Sequence, residues 1–274
     1  MRFAICNETF QDWPHEKACN FARELGYTGW EIASFTFDKD ARRITPQMRR
    51  EIRAQAEGAG LTVVGLHWLL AFTEGYYLTS PDAEVRRRTA DYLKDLARLC
   101  RDLGGSLMVL GSPKQRNLLP GVTHDQGVTY AADVLRQVAP VLEEQKVTIA
   151  VEPLGPAEGD FLNKTAQAIP LIEQVGSPWC QLHLDVKAMS SEGTPIPEII
   201  KAHTKHLVHF HANDANRLGP GMGEIDFVPI LRTLKDVGYD GWVSVEVFDY
   251  SPGPERLARE SIQNLQKCWK AVSA

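Results

Sequence analysis

Short apolar runs alternate with longer amphipathic stretches along the whole chain. The apolar runs have the length of buried strands, whereas the stretches between them repeat apolar residues at helical spacing. The runs are RFAIC, GWEIA, LTVVGLH, SLMVLG, VTIAVE, CQLHLD, LVHFH and WVSVEV. The helical stretches are residues 14–25, 46–59, 82–103, 126–145, 165–175, 195–204, 227–237 and 254–271. The pattern therefore predicts a repeated strand and helix unit from one end of the chain to the other.

This alternation predicts parallel strands, because helical crossovers join parallel strands whereas antiparallel hairpins need only tight turns. Such units close into a (β/α)8 TIM barrel of about 250 residues, which suits a chain of 274 residues. The alternative is an open doubly wound sheet, but the GxGxxG turn usual after its first strand is absent. With no linker or low-complexity segment, residues 1–274 are predicted to form a single α/β domain, a TIM barrel.

Four of the later runs have a residue that can bind a metal at or next to their end: Glu152, Asp185, His211 and Glu246. The carboxyl ends of barrel strands surround one mouth, so we expect these side chains to meet. This mostly oxygen set suits Mn²⁺, Mg²⁺ or Co²⁺ better than a structural zinc. Helix capping alone would explain Asp185, and a core histidine would explain His211. Neither explains the two glutamates, whose burial without a cation would be costly.

Several other residues are candidates for the same mouth. His183 and His209 precede two of the metal candidates by two residues. They therefore point inward one layer deeper, as groups behind the metal or as ordinary interior histidines, and the metal prediction leaves them out. His67 and Trp68, at the end of the third run, are predicted substrate contacts, with core packing as the alternative for Trp68.

The loop sequence GSPKQR, residues 111–116, supplies further cationic candidates. Lys114 is a predicted substrate contact there, and Arg116 is a second group that could bind a phosphate. Solvation at the surface is the alternative for both. No glycine-rich phosphate cradle is present, which mildly favours an unphosphorylated substrate.

Charge and composition narrow the class of partner. The net charge of −5 and pI near 5.9 argue against nucleic acid, whose binding depends on lysine and arginine. No apolar stretch approaches the roughly 20 residues of a membrane span, and the first residues lack the features of a signal peptide. The five cysteines are scattered and free of CxxC spacing, which favours reduced thiols. We therefore expect a cytoplasmic protein that binds a small molecule, with no nucleic-acid or membrane partner.

The motifs VEPL, LHLD, HFHANDANR, GPGMGEIDF and VSVEVF resemble those of the xylose isomerase-like barrels, and within them the D-tagatose and D-psicose 3-epimerases. The resemblance covers essentially the whole chain. It implies that Glu152, Asp185, His211 and Glu246 bind one divalent metal, Mn²⁺ first with Co²⁺ or Mg²⁺ as alternatives. It also implies that the two glutamates act as acid and base. A homodimer or homotetramer is a further expectation from this family.

The resemblance also implies substrate contacts, and one of them departs from the family pattern. Arg217 and Glu158 match residues that contact the substrate. The epimerases continue from the metal-binding aspartate as D-x-x-H, whereas this chain places Ala188 where their histidine stands. Alanine cannot make that contact. Lys187 is a candidate substitute donor, with a solvent-facing lysine as the alternative.

The predicted function is a metal-dependent sugar isomerase or epimerase that acts through a metal-bound enediolate. A ketose 3-epimerase fits best, because Glu152 and Glu246 on opposite faces of a sugar could remove and return a proton. The alternatives are an aldose–ketose, hydroxypyruvate or inosose isomerase, and a metal-dependent dehydratase or lyase that acts on keto-sugars. Outside enzymes, a sugar-binding barrel is the remaining alternative. The loop 68–81, with its aromatic residues, is predicted to be a lid or an interface.

Overall fold

Each strand pairs in parallel with the next along the chain, and the last strand pairs with the first. The computed structural model describes residues 1–273, and its eight strands form a closed barrel. The predicted (β/α)8 TIM barrel is confirmed. The strands are β1 (Arg2–Cys6), β2 (Gly29–Ala33), β3 (Thr62–His67), β4 (Leu107–Leu110), β5 (Thr148–Val151), β6 (Cys180–Asp185), β7 (Leu207–Ala212) and β8 (Trp242–Val245).

The helices surround the barrel and follow the predicted stretches with small changes at their ends. They are α1 (His15–Leu25), α2 (Pro46–Gly58), α3 (Ala83–Asp102), α4 (His124–Gln145), α5 (Thr165–Val175), α6 (Val186–Ser190), α7 (Ile196–His203), α8 (Phe227–Asp236) and α9 (Pro254–Ser273). Helix α4 begins two residues before its predicted start, because Thr123 and Gln126 form a capping box there. Within residues 1–273, no helix combines the length and the hydropathy needed to cross a bilayer.

Helix α6 was not predicted. It has only five residues and follows β6 directly. The backbone N–H of Ala188 donates to Asp185 Oδ1 at 2.8 Å, so the strand's last residue is also the helix cap. This turn fixes the direction of the Asp185 carboxylate at the mouth of the barrel.

The barrel interior changes from apolar to polar along its axis. A small apolar cluster fills one layer, and the indole of Trp242 packs against it. Gly29 makes room for this indole, since a Cβ there would lie 2.7 Å from Trp242 ring atoms. The buried members of the cluster are Ala4, Val64, Leu107, Val109 and Ala150. The layer nearer the carboxyl ends of the strands instead holds buried histidines and carboxylates.

The contact between β3 and β4 yields a test of this packing. A Cβ at Gly65 would lie 1.9 Å from the Leu107 carbonyl oxygen, which only a backbone shift could relieve. We expect Gly65→Ala to lower the free energy of unfolding by about 3 kcal/mol. In urea unfolding, the control Gly58→Ala, whose Cβ meets nothing within 4 Å in α2, should gain up to about 1 kcal/mol. An unchanged midpoint for Gly65→Ala would contradict this account of the interface.

Candidate metal centre

The predicted metal-binding residues converge at the carboxyl ends of the second four strands. Glu152 follows β5, Asp185 ends β6 and His211 lies near the end of β7. Ligand atoms of these three residues and of His183 lie within 4.8 Å of one another, and all four side chains are buried. Three of the four predicted ligands therefore share one group with a histidine that the sequence prediction left out. This group of candidate ligands, Glu152, His183, Asp185 and His211, is here called the metal cluster.

Glu246, the fourth predicted ligand, joins the cluster through His211. Its Oε2 lies 2.9 Å from His211 Nδ1, and its Oε1 accepts a hydrogen bond from Trp68 Nε1 at 2.7 Å. The same carboxylate also lies within 4.8 Å of possible ligand atoms of Glu8 and His67. Glu246 is thus beside the cluster, held by a histidine on one side and an indole on the other.

The donor set fits a divalent cation. Among residues 1–273, neither ring nitrogen of the fully buried His183 has a hydrogen-bond partner, and its Nε2 lies 3.8 Å from Glu152 Oε1. Burial and the neighbouring His211 and His209 lower the pKa of His183 well below its usual value, so its ring is neutral and keeps a free lone pair. Imidazole nitrogens beside carboxylate oxygens are common ligands of divalent transition metals.

The carboxylates of the cluster disfavour one another's charge. Burial, followed by the nearby Glu246 and Asp185, raises the pKa of Glu152 well above its ordinary value. Burial and Glu246 raise the pKa of Asp185 to about 6. Unpaired charge at this depth is costly, and a cation shared by both carboxylates would offset that cost.

Neighbouring groups hold the Asp185 carboxylate from behind. Asn213 Nδ2 donates to Asp185 Oδ2 at 2.5 Å, while the other oxygen caps α6. Asn213 Oδ1 in turn accepts from the backbone N–H of Lys187 at 2.8 Å. Such supporting hydrogen bonds orient a metal ligand before the metal binds. Asn213 was not singled out in the sequence, although it lies two residues beyond His211.

Glu31, which the sequence prediction also missed, lies beneath the metal cluster. It is fully buried, with Oε1 at 3.0 Å from His211 Nε2 and Oε2 at 2.8 Å from His209 Nε2. Burial alone would raise its pKa, but the charges of His209 and His211 bring the pKa well below the ordinary range. The available signal was an acid in the middle of the apolar run GWEIA, where strand alternation leaves a charge no route to water.

A pocket of about 520 Å³, here called the metal pocket, opens above the cluster. Its lining includes both glutamates at the strand ends and four predicted substrate contacts: Trp68, Glu158, Lys187 and Arg217. Lys187 points into this pocket and not to solvent, since its Nζ lies 2.6 Å from Glu158 Oε2 and 4.3 Å from the centre of the Phe248 ring. Gly111 also lines it, and a Cβ there would lie 1.6 Å from Glu152 Oε2. The glycine therefore leaves the space that the Glu152 carboxylate occupies.

The other predicted substrate contacts lie elsewhere. His67 is buried, with Nε2 at 2.8 Å from Glu8 Oε2, and it is not part of the lining of the metal pocket. Lys114 is exposed and does not line the metal pocket either. Arg116, the candidate for phosphate, is buried and donates to the carbonyl oxygens of Glu152 and Phe161. Its guanidinium is thus occupied in holding backbone, because no water reaches it to satisfy those donors.

The sequence and the fold of this chain are similar to those of known proteins. The model of the xylose isomerase-like TIM barrel family matches residues 19–268. A "Probable ketose 3-epimerase" of Synechocystis is 25% identical over 92% of this chain and 82% of its own. A D-psicose 3-epimerase of Enterocloster bolteae is 28% identical over 74% of this chain and 67% of its own. A crystal structure of D-psicose 3-epimerase with D-tagatose, from Clostridium cellulolyticum, covers 99% of both chains with a TM-score of 0.87 at 22% identity. At that identity the likeness concerns the fold alone.

The support of Asp185 by Asn213 yields a prediction about metal affinity. We expect Asn213→Ala to weaken Mn²⁺ binding by about 10- to 100-fold, because the carboxylate loses the donor that orients it. The matched control is Asn20→Ala, on the exposed face of α1. Isothermal titration of both variants with MnCl₂ measures the effect. Equal affinity in the two variants would remove Asn213 from the site.

Proposed function

The chain belongs to the xylose isomerase-like TIM barrel family, and we propose that it is a divalent-metal-dependent ketose 3-epimerase. It is an enzyme of the isomerase and epimerase class, as its relatives are. We propose three things beyond this class: which metal is bound, which carbon of the sugar reacts, and what role each residue has. Mn²⁺ is the metal we propose, with Co²⁺ and Mg²⁺ as alternatives.

One observation carries this proposal: two carboxylates reach the same pocket from separated strands. Glu152 follows β5 and Glu246 follows β8, with two strands between them in the barrel, and both line the metal pocket. A ketose in this pocket would meet one carboxylate from each side. Inverting a carbon requires proton removal on one face and proton delivery on the other. Two opposed carboxylates are suited to that task, whereas a 1,2-isomerisation needs only one.

A divalent cation held by Glu152, Asp185, His211 and Glu246, with His183 as a further candidate ligand, would withdraw electrons from the ketone and acidify the neighbouring C–H. One glutamate then takes the proton from C3, and the other returns a proton to the opposite face of the same carbon. The substrate and product are isomers, so no other atom is gained or lost. In the reverse direction the two glutamates exchange roles.

The remaining lining residues would orient the sugar. Lys187 and Glu158 form an ion pair that faces the metal pocket, and Arg217 lines it as well. These groups supply donors and acceptors for sugar hydroxyls. Lys187 takes the place of the histidine that the epimerases have at the position of Ala188. This substitution also supports a second candidate, a keto-sugar dehydratase or lyase, because a changed donor would alter how the deprotonated sugar is stabilised.

The position at which the sugar takes up deuterium from solvent identifies the class of reaction. The Mn²⁺-loaded protein is incubated in D₂O with D-fructose, D-tagatose, inosose and a keto-glycoside, and NMR then locates the label. We expect deuterium at C3 together with the C3 epimer. Label at C1 or C2 with an aldose would favour an isomerase, and an unsaturated product would favour the lyase. Prior treatment with EDTA should stop the exchange, and added Mn²⁺ or Co²⁺ should restore it. Exchange that continues at the same rate after EDTA treatment would refute the proposed metal dependence.

Replacement of either glutamate at the pocket provides a second test. Glu152→Gln and Glu246→Gln should each lower turnover by about 10²- to 10⁴-fold, because an amide cannot take up the proton. The matched control is Glu144→Gln on the exposed face of α4, which should leave turnover unchanged. Circular dichroism establishes that each variant is folded. Turnover at the normal rate in either pocket variant would rule out a mechanism with two bases.

Oligomeric state and location stay predictions. The homodimer or homotetramer expected from the family can be measured by light scattering. Loop 68–81 contains Phe72, which is 60% exposed, and this loop stays the candidate for a lid or an interface.

A further inference from the structure

A second cleft, here called the outer cleft, adjoins the metal pocket. It has a volume of about 730 Å³, and Trp68 lines both cavities. Most of its lining comes from the segment after β1, the start of α1, the segment after β2 and the loop after β3, and Trp30 in β2 and Tyr250 after β8 complete it. Cavities of about 300–1,000 Å³ are typical of small-molecule sites. The metal pocket alone falls in that range, so a free ketose bound there would leave the outer cleft unfilled.

A continuous row of aromatic rings connects the two cavities. The ring centres of Phe248 and Trp68 are 6.3 Å apart, those of Trp68 and Phe35 are 5.9 Å apart, and those of Phe35 and Phe72 are 4.8 Å apart. Phe248 lines the metal pocket, whereas Phe35 and Phe72 line the outer cleft. This aromatic strip, defined by these four residues, offers a ligand a path of apolar surface away from the metal cluster.

The backbone that supports part of the strip is held in an unusual conformation. Trp68 has φ of 53° and Phe72 has φ of 60°, in the left-handed region that bulky residues rarely adopt. Of the large hydrophobic side chains in residues 1–273, Phe72 is also the exposed one, at 60%. Conformations of this kind persist where the surrounding structure holds them and are frequent in ligand sites. They direct two large rings toward the mouth of the barrel.

Polar side chains also line the outer cleft. Glu8 lines the cleft and is only 3% exposed. Its Oε2 lies 2.8 Å from His67 Nε2, whereas its Oε1 has no hydrogen-bond partner among residues 1–273. That oxygen has almost no accessible surface and lies behind the wall of the cleft, whereas the side chains of Gln11 and Asp12 are exposed and within reach of a ligand. Asn7 and Gln11 add polar groups to the same lining.

The charge of the lining disfavours a phosphate as occupant. Within the described chain, no lysine or arginine belongs to the lining of the outer cleft, while Glu8 and Asp12 do. The exposed carboxylate of Asp12 repels an anion, whereas the Glu8 carboxylate is paired with His67. A flat aromatic ligand would match the strip but would leave the side chains of Gln11 and Asp12 without partners. A sugar ring matches both features, since its C–H face is apolar and its hydroxyl groups donate hydrogen bonds.

We propose that the outer cleft binds a second sugar ring, so that the substrate is a ketose that carries a glycosyl substituent. The ketose part occupies the metal pocket, and the glycosyl ring extends past Trp68 onto Phe35 and Phe72, with its hydroxyl groups directed at Gln11 and Asp12. The identity of the reacting part rests on the proposed epimerase function. The second ring rests only on the cleft itself.

Ketose disaccharides test this substrate class directly. Maltulose, leucrose and isomaltulose have a glucosyl ring on O4, O5 and O6 of fructose, so the panel also reports which linkage reaches the cleft. With the Mn²⁺-loaded protein, we expect at least one of them to have kcat/KM about tenfold above that of D-fructose, equivalent to one good additional contact. Phe72→Ala should raise KM for that disaccharide about two- to tenfold more than it raises KM for D-fructose.

The control is Trp269→Ala, which truncates a half-buried aromatic side chain in the last turns of α9. It should leave the preference for disaccharides intact. Calorimetric titration with each disaccharide is run in parallel because it needs no turnover. Binding that is weakened by Phe72→Ala, without turnover, would support the second subsite while the epimerase proposal fails. Turnover or binding of D-fructose equal to or better than that of all three disaccharides would overturn the second subsite. Preferential binding of N-fructosyl-lysine over the disaccharides would also overturn the second sugar subsite.

Discussion

Burial of charge at the mouth of the barrel is the constraint on which the rest of the site depends. Glu31 is fully buried in β2, and it is stable there because His209 and His211 contact its two oxygens. His211 extends the same network to Glu246, whose second oxygen accepts from Trp68. Removing any one member would leave a buried charge or donor unpaired, so the network fixes the positions of the groups above it.

The metal cluster lies on this network and adds charge that the protein alone does not balance. Glu152 and Asp185 both have raised pKa values, since burial and the nearby Glu246 oppose their ionisation. His183 contributes a neutral ring beside them, and its nitrogens have no hydrogen-bond partner within residues 1–273. Groups of this kind are costly to keep buried for stability alone. Their combination is understandable if a cation and a substrate complete the site.

Trp68 couples the metal cluster to the outer cleft. Its indole N–H donates a hydrogen bond to Glu246, which lines the metal pocket. Its ring belongs to the aromatic strip that leads to Phe72. A ligand that contacts this ring therefore also touches the group that positions a proposed catalytic carboxylate. Trp68 would thus contact the distal part of the substrate and also position the carboxylate that acts on the reacting carbon. This side chain therefore links substrate specificity to proton transfer.

The sequence by itself determined the barrel and the strand ends at which Glu152 and Asp185 lie, because side-chain periodicity and parallel pairing are local consequences of the apolar pattern. It did not reveal that Lys187 would point into the pocket or that Lys114 would lie outside it, because loop direction depends on contacts with distant segments. Nor did it reveal the role of Glu31, which contacts residues about 180 positions away. Only closure of the barrel brings β2 beside β7 across its interior, and so only the tertiary structure decided which buried charges would pair.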